Sequence, residues 1–206
     1  MYHSVREPRI HPVTMTDLCP TQMTVGMREV REKRQRWKEV RRKAQFLGSH
    51  LIPVIHGHRD RYYVIDHHHL ALALEQEKVK QVAVTVVADL RKLDGHSFWT
   101  YLDNRGWLHP YDDRGRRRSH EELPRRLSGL VDDPFRSLAG ELRRIGGFAK
   151  DTTPFSEFLW ADFLRRRVKR KRIVNDFAAA LEHAFQLAKS EESDYLPGWC
   201  GPVARE

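Results

Sequence analysis

Strand signals in this 206-residue chain are concentrated in its first 90 residues and nearly vanish after residue 93. Residues 10–18 read as a short extended segment, and Pro12 keeps it at a sheet edge or near a strand start because proline brings no ladder donor. Residues 51–56 and 61–66 are β-rich runs separated by Gly57-His58-Arg59-Asp60, a loop of hairpin length. Residues 79–87 are β-branched and apolar, the pattern of a buried strand. Helical spacing alternates with these runs. Met27, Val30, Trp37, Val40, Ala44 and Leu47 recur at three-four spacing and predict one helix over 26–47, with Gly48 as its stop. Cys19-Pro20-Thr21-Gln22 is read as a turn before it, and Leu70, Ala73 and Leu74 predict a second helix over 67–76.

Beyond residue 93 the pattern is helical. Short helices are expected at 98–102 and 121–130. Asp133-Pro134 pairs a capping aspartate with proline in the first helical position and opens a helix to about 145; Thr153-Pro154 repeats the device for a helix through Trp160 and Leu164. Phe177, Leu181, Ala184, Phe185 and Ala188 line one face of a last helix over 173–190. The expected fold class is α/β (α+β): a small mixed-sheet domain over 1–93, a helical C-terminal extension over 94–190 and a tail over 191–206.

Charge narrows the partners. Lys plus Arg outnumber Asp plus Glu by 37 to 28, a formal net charge of +9, which favours anions: nucleic acid, nucleotides or phosphorylated substrates. The longest apolar run, 82–88, is far short of the ~20 residues that span a bilayer, and residues 1–20 lack the continuous apolar stretch of a secretory signal. Cys19 and Cys200 are too few for a disulfide framework, and no CxxC zinc spacing, GxxxxGK[ST] loop or GxGxxG fingerprint occurs. The expectation is a soluble, cytoplasmic protein without membrane contact.

The most informative stretch runs from Tyr62 through Asp66 and His67-His68-His69 to Leu74. A strand delivers Asp66 at its end, and three histidines sit at the mouth of a helix. Helix N-termini offer backbone N–H groups and the positive end of the macrodipole to anions. Imidazoles there add hydrogen bonds to phosphate, and an adjacent acid serves as a base or helps to hold a metal-bound phosphate.

This stretch resembles the ParB/sulfiredoxin superfamily, in its ParB-like nuclease branch. The family motif is a strand, then Asp-Gly-His-His-Arg, then an alanine-rich helix. Asp66, His68 and His69 match the Asp and the two His; His67 stands in place of Gly and Leu70 in place of Arg. Pro20-Thr21-Gln22, the helix from Gly26 and the hairpin fit the family order, so the resemblance covers about residues 10–90. It implies a motif facing nucleotide phosphates, with Asp66, His68 and His69 as catalytic candidates and His67, His68, His69, Gln22, Lys33 and Arg28 as phosphate-binding candidates. Lys33 or Arg28 would replace the bidentate fork lost at Leu70. Partition proteins that bind CTP on DNA, free-serine kinases and sulfiredoxins belong to the superfamily. Sulfiredoxin chemistry needs a cysteine within the motif, and none stands there.

The residues leave the metal open. Consecutive helical residues point about 100° apart, so the three histidines cannot all ligate one ion; Asp66 with one or two of them is the alternative. No cofactor is assigned by the residues; a nucleotide with Mg²⁺ or Mn²⁺ is the candidate the motif suggests. Residues 28–43 carry nine basic and three acidic residues, ordinary for a solvated helix face. Arg165, Arg166, Arg167, Lys169, Arg170, Lys171 and Arg172 are seven cations in eight positions, which repel one another unless anions neutralise them. With Arg114 and Arg116–Arg118 they predict contact with a nucleic-acid backbone. Phosphodiester cleavage or phosphoryl transfer at Asp66–His69 is therefore weighed against a non-enzymatic DNA- or RNA-binding protein, and against a small-metabolite kinase.

Overall fold

The computed structural model describes residues 10–202. Residues 1–9 of the first expected domain and 203–206 of the tail lie outside the described residues. The chain divides into two compact units, one of residues up to 23, 30–110 and 119–130, the other of residues 24–29, 111–118 and 131 onward.

The first unit is built on a five-stranded mixed sheet of β1 (Ile10–Thr14), β2 (Leu18–Pro20), β4 (Ile52–Gly57), β5 (Arg61–Val64) and β6 (Gln81–Asp89), in the order β1-β6-β4-β5-β2. β4 and β5 form the expected antiparallel hairpin, β6 runs parallel to β4, and β1 is an edge strand, where Pro12 is tolerated. Cys19 and Pro20 are not a turn: they continue β2, parallel to β5, with Pro20 opposite Val64. Pro20 can sit there because β2 is the other edge of the sheet. Ile52, Val54, Val64 and Val84 are fully buried. Ile55, Tyr63, Phe98, Leu102, Leu108 and Leu123 make a further apolar cluster. A Cβ at Gly57 would meet the Phe98 ring at 2.3 Å, so only glycine lets that ring close over the hairpin.

The helix expected over 26–47 is two: α1 (Met27–Glu39) and α2 (Lys43–Ser49). The break has a cause in Lys43, whose ammonium hydrogen-bonds the Trp37 carbonyl and lies over the Trp37 ring. Phe46 then meets that ring edge-on at 5.6 Å, so the chain folds back instead of running on. β3 (Thr24–Val25), just before α1, pairs in parallel with β7 (Val131–Asp132) in the second unit, and the first amide of α1 donates to the Asp132 carboxylate at 2.9 Å. α3 spans His68–Gln76 and α4 spans Gly95–Asn104. Residues 121–130 form short 3-10 turns at His120–Glu122 and Leu127–Gly129, not a helix. Pro124 between them supplies no amide donor and disfavours helical geometry at Leu123.

The second unit is helical: α5 (Pro134–Arg144), α6 (Ser156–Arg165), α7 (Arg170–Asn175) and α8 (Phe177–Ala188) pack around Leu138, Leu142, Phe148, Trp160, Phe163 and Ala184. Asp133 caps α5 as expected, accepting the Phe135 amide at 3.0 Å. Thr153-Pro154 does not repeat that device: α6 starts at Ser156 behind a left-handed Phe155, and Thr153 instead donates its amide to Asp151. The long helix expected over 173–190 is split at Asp176, whose carboxylate accepts the Ala179 amide at 3.0 Å and starts α8 afresh. The mixed α/β class expected from the sequence is what the chain adopts.

Candidate functional site

Two parallel neighbours, β2 and β5, end side by side, and the chain leaves both at their carboxyl ends, where open α/β sheets present their ligand crevices. Beyond β5 come Ile65, Asp66 and His67, then α3. His67 adopts the left-handed conformation, φ 63° and ψ 25°, and makes no side-chain cap on the helix. That conformation is the reason for a glycine in the family motif: only glycine takes it without cost. The first amide to join the helical ladder is that of Ala71, on the His67 carbonyl at 2.9 Å, so the amides ahead of it are not spent within α3. α4, α5 and α8 each begin on a capping aspartate; α3 does not.

The three histidines divide. His67 is exposed, and its Nδ1 donates to the Leu51 carbonyl at 3.1 Å. That fixes the tautomer, so Nε2 of the neutral ring is an acceptor. Asp66, exposed, accepts the His67 amide at 2.6 Å, with its other oxygen 4.0 Å from that Nε2. His68 is buried; its Nε2 accepts the Thr21 amide at 3.2 Å and its other nitrogen bonds the Val64 carbonyl. The same carbonyl accepts the Thr21 hydroxyl at 2.7 Å. Burial pushes the His68 pKa down to about 3, overcoming the opposing bond to Val64, and nearby His109 and His67 add to the fall. The ring is therefore neutral, and it ties two segments 47 residues apart in sequence into one knot. His69 is also buried.

Gln22 is buried beside that knot, its backbone bridged to His109, while the His109 amide donates to the Thr21 carbonyl at 2.8 Å. Thr21 stood only within the Pro20-Thr21-Gln22 stretch that fits the family order and nothing marked His109; strand pairing and the Gln22–His109 bridge bring them to His68. Lys33 lies on α1 next to Arg34, which reaches Glu77, at the end of α3 away from the histidines, at 2.8 Å. Arg28 falls in the second unit, with its guanidinium 4.1 Å from the Phe177 ring centroid. Leu70, where the motif has Arg, is buried.

Among the described residues no three His, Cys, Asp or Glu side chains are placed to hold a metal ion. Asp66 alone suits a hard cation that arrives on a phosphate, since Mg²⁺ is held by one or two carboxylates plus substrate oxygens.

The basic run is divided as well. Arg165 makes a two-pronged pair with buried Asp133 at 2.8 and 3.2 Å and donates to the Asp113 carbonyl at 2.8 Å. Arg167 reaches Glu192 at 2.9 Å and lies over Phe163, and Arg170 meets Asp113 at 2.6 Å. Arg166 pairs with Asp162 at 2.7 Å while remaining 72% exposed. Arg172 approaches His183 at 3.5 Å, and Lys169 and Lys171 are exposed.

A mixed sheet whose strand-turn-helix corner carries Asp-His-His-His, joined to a helical bundle, defines an α/β class of protein with a ParB-like corner. The family described as "Putative ParB-like nuclease" matches residues 11–166, and the chain belongs to it. No curated protein matches the chain. Among solved structures, it is similar to the crystal structure of protein Atu1540 from Agrobacterium tumefaciens, with 49% identity, a TM-score of 0.91, and coverage of 96% of this chain and 99% of that one. No helix of the described residues is long and apolar enough to cross a membrane.

Proposed function

We propose that the mouth of α3 binds a phosphate of a nucleotide or nucleic acid and that the protein catalyses phosphodiester cleavage or phosphoryl transfer there. The observation that carries this reading is the pairing of an exposed carboxylate, Asp66, with the exposed His67 ring at the uncapped N-terminus of α3. The helix amides and dipole attract the phosphate oxygens. His67 Nε2 takes up the proton of an attacking water or hydroxyl as the phosphorus–oxygen bond to the leaving group breaks; the Asp66 carboxylate, 4.0 Å away, serves either as the base in its place or as ligand of a phosphate-borne ion. A Mg²⁺ or Mn²⁺ ion carried by the phosphate would neutralise developing negative charge, with Asp66 as its protein ligand. His68 serves this site as a positioning residue, holding Thr21 and Gln22 against the end of β5, and His69 supports the same corner from within.

The test is a thermal-shift panel of nucleotides and short oligonucleotides, with and without Mg²⁺ or Mn²⁺, on the wild type and Asp66→Ala, followed by cleavage and ADP-release assays on whatever binds. A ligand that stabilises only the wild type is expected. Equal stabilisation of both proteins sinks the assignment. ADP release with a free amino acid would move it to the kinase alternative. Nucleic-acid binding unaccompanied by turnover would favour the non-enzymatic reading, for which exposed Lys169 and Lys171 are the favouring observation.

A further inference from the structure

The second unit contains an open pocket of about 670 Å³ whose lining holds six cationic side chains and one carboxylate, that of Asp113. Its construction separates cations that hold the fold from cations that face outward. On the floor, the Arg165 guanidinium lies 4.8 Å from the centroid of buried Phe135 and is fixed by Asp133 and the Asp113 carbonyl. One wall is the hairpin 111–118. Asp112 accepts the amides of Arg114 and Arg116, both at 2.9 Å, and the Arg118 guanidinium, while Tyr111 bridges Arg117. Gly115 at its tip has φ +74°, and a Cβ there would stand 2.9 Å from Arg165 Nε. The hairpin is thus pressed onto Arg165 in a way that only glycine permits.

The acids at the pocket are already committed: Asp133 to Arg165, Asp113 to Arg170, Asp162 to Arg166. Arg114 and Lys169 are exposed, with no carboxylate partner among the described residues, and Arg166 is 72% exposed despite its pair. Positive charge held in place beside uncompensated cations lowers the cost of collecting it around an anion. Among the described residues lining the pocket the one aromatic, Phe135, is only 4% exposed and covered by Arg165, so those residues offer no ring for a base to stack on.

We infer that Arg114, Arg166 and Lys169 form a seat for the phosphodiester backbone of a nucleic acid, bound without sequence preference, on a frame made by Asp112, Asp113, Asp133 and Arg165. This seat rests on reading the arginine-rich segments as polyanion contacts and is independent of the chemistry at α3. An acidic peptide would also be attracted, since guanidinium groups grip carboxylate as they grip phosphate; the nucleic-acid backbone, with one charge per about 1.7 Å of duplex, is the denser polyanion, and poly-glutamate is the competitor that tests the difference.

The experiment measures binding of short mixed-sequence single-stranded DNA, the matching duplex and the matching RNA by fluorescence anisotropy across a KCl series. It compares the wild type, the triple variant Arg114→Ala/Arg166→Ala/Lys169→Ala, and a charge-matched triple on the first unit, Arg31→Ala/Arg36→Ala/Arg41→Ala. Expected for the seat variant is a loss of affinity of more than about tenfold and a salt dependence shallower by roughly two to three units in log–log slope. The charge-matched variant should change affinity less than about threefold, and scrambling the base sequence should change nothing. Equal losses in the two triples would reduce the effect to net charge and overturn the seat. So would competition by poly-glutamate at the same concentrations as oligonucleotide, or by inorganic phosphate. Asp66→Ala is measured alongside: loss of oligonucleotide binding there, with the seat variant unaffected, would put the backbone at α3 instead.

Discussion

Two conspicuous runs in this sequence, the histidines at 67–69 and the cations at 165–172, have been treated by the fold in the same way. In the first unit, two of the three histidines are buried as parts of the corner, and only His67 is exposed with Asp66. In the second, Arg165 and Arg167 are consumed by Asp133 and Glu192, whereas Lys169 and Lys171 point to solvent. The means differ. The first unit buries its polar run neutral, using backbone hydrogen bonds; the second buries its charge charged, using a carboxylate. Neutral burial costs little in solvation, while a buried ion pair is held hostage by either partner. A run of one residue type is thus a poor unit of function, and exposure divides it.

The largest effect should come from breaking the charged region. Asp133→Ala leaves the Arg165 guanidinium, only 14% exposed, without its partner and removes the α5 cap. A loss of about 3–5 kcal/mol in the free energy of unfolding is expected, measured by denaturant titration. Asp133→Asn retains a cap acceptor and should recover only the cap's share, about 1 kcal/mol. If asparagine restored most of the stability, the ion pair would be incidental and the contrast between the units would fail.

The neutral region should respond less, and with a pH signature. His68→Ala strips the acceptor from the Thr21 amide and is expected to cost about 2–3 kcal/mol. His68→Gln, whose amide oxygen reaches the Nε2 position, should recover much of it. The folded ring takes a proton only near pH 3, whereas the ring of the unfolded chain titrates at its ordinary 6.5. Between those values the unfolded state binds more protons, so the stability tied to neutral His68 is present in full above 6.5 and declines as pH falls toward 3. The steepest slope is about 1.4 kcal/mol per pH unit. His68→Gln should flatten that limb when stability is followed from pH 7 to pH 4; an unchanged slope would mean that the ring is not buried neutral.

Much of the first unit was legible in its residues. β-branched runs, a hairpin-length loop and the switch from strand to helix at Asp66 located the sheet and the α3 corner. What escaped was non-local or depended on competition between neighbours. Nothing near Thr21 announces that β2 will lie parallel to β5 and carry it to His68, and nothing near His109 announces that it will bridge Gln22 and join the same corner. The break after Glu39 depends on a lysine turning back to a carbonyl, and the break at Asp176 on one carboxylate preferring the cap to the helix interior. In the second unit the Asp133-Pro134 start was readable because cap and proline act within one turn. The partner of Arg165 was not, because Asp133 lies 32 positions away.

The smallest effect bears most directly on function. His67 pays a conformational penalty for its φ of 63°, roughly 1 kcal/mol for a residue other than glycine. It recovers part of this through the Nδ1 bond to Leu51 at 3.1 Å. Glycine removes both the penalty and the bond and loosens the unfolded chain, so His67→Gly should leave stability within about 0.5 kcal/mol of wild type. Neutral stability makes this the cleanest probe of the exposed half of the run. If the ring takes a proton at the phosphate site, turnover of whichever phosphate ester the panel identifies should fall by about 10²-fold or more with KM little changed. His67→Gln, which retains an acceptor without a titrating ring, should fall nearly as far. Undiminished turnover in His67→Gly would leave Asp66 as the only exposed acid-base group at the mouth of α3 and would make His67 a substitute for glycine without chemical consequence.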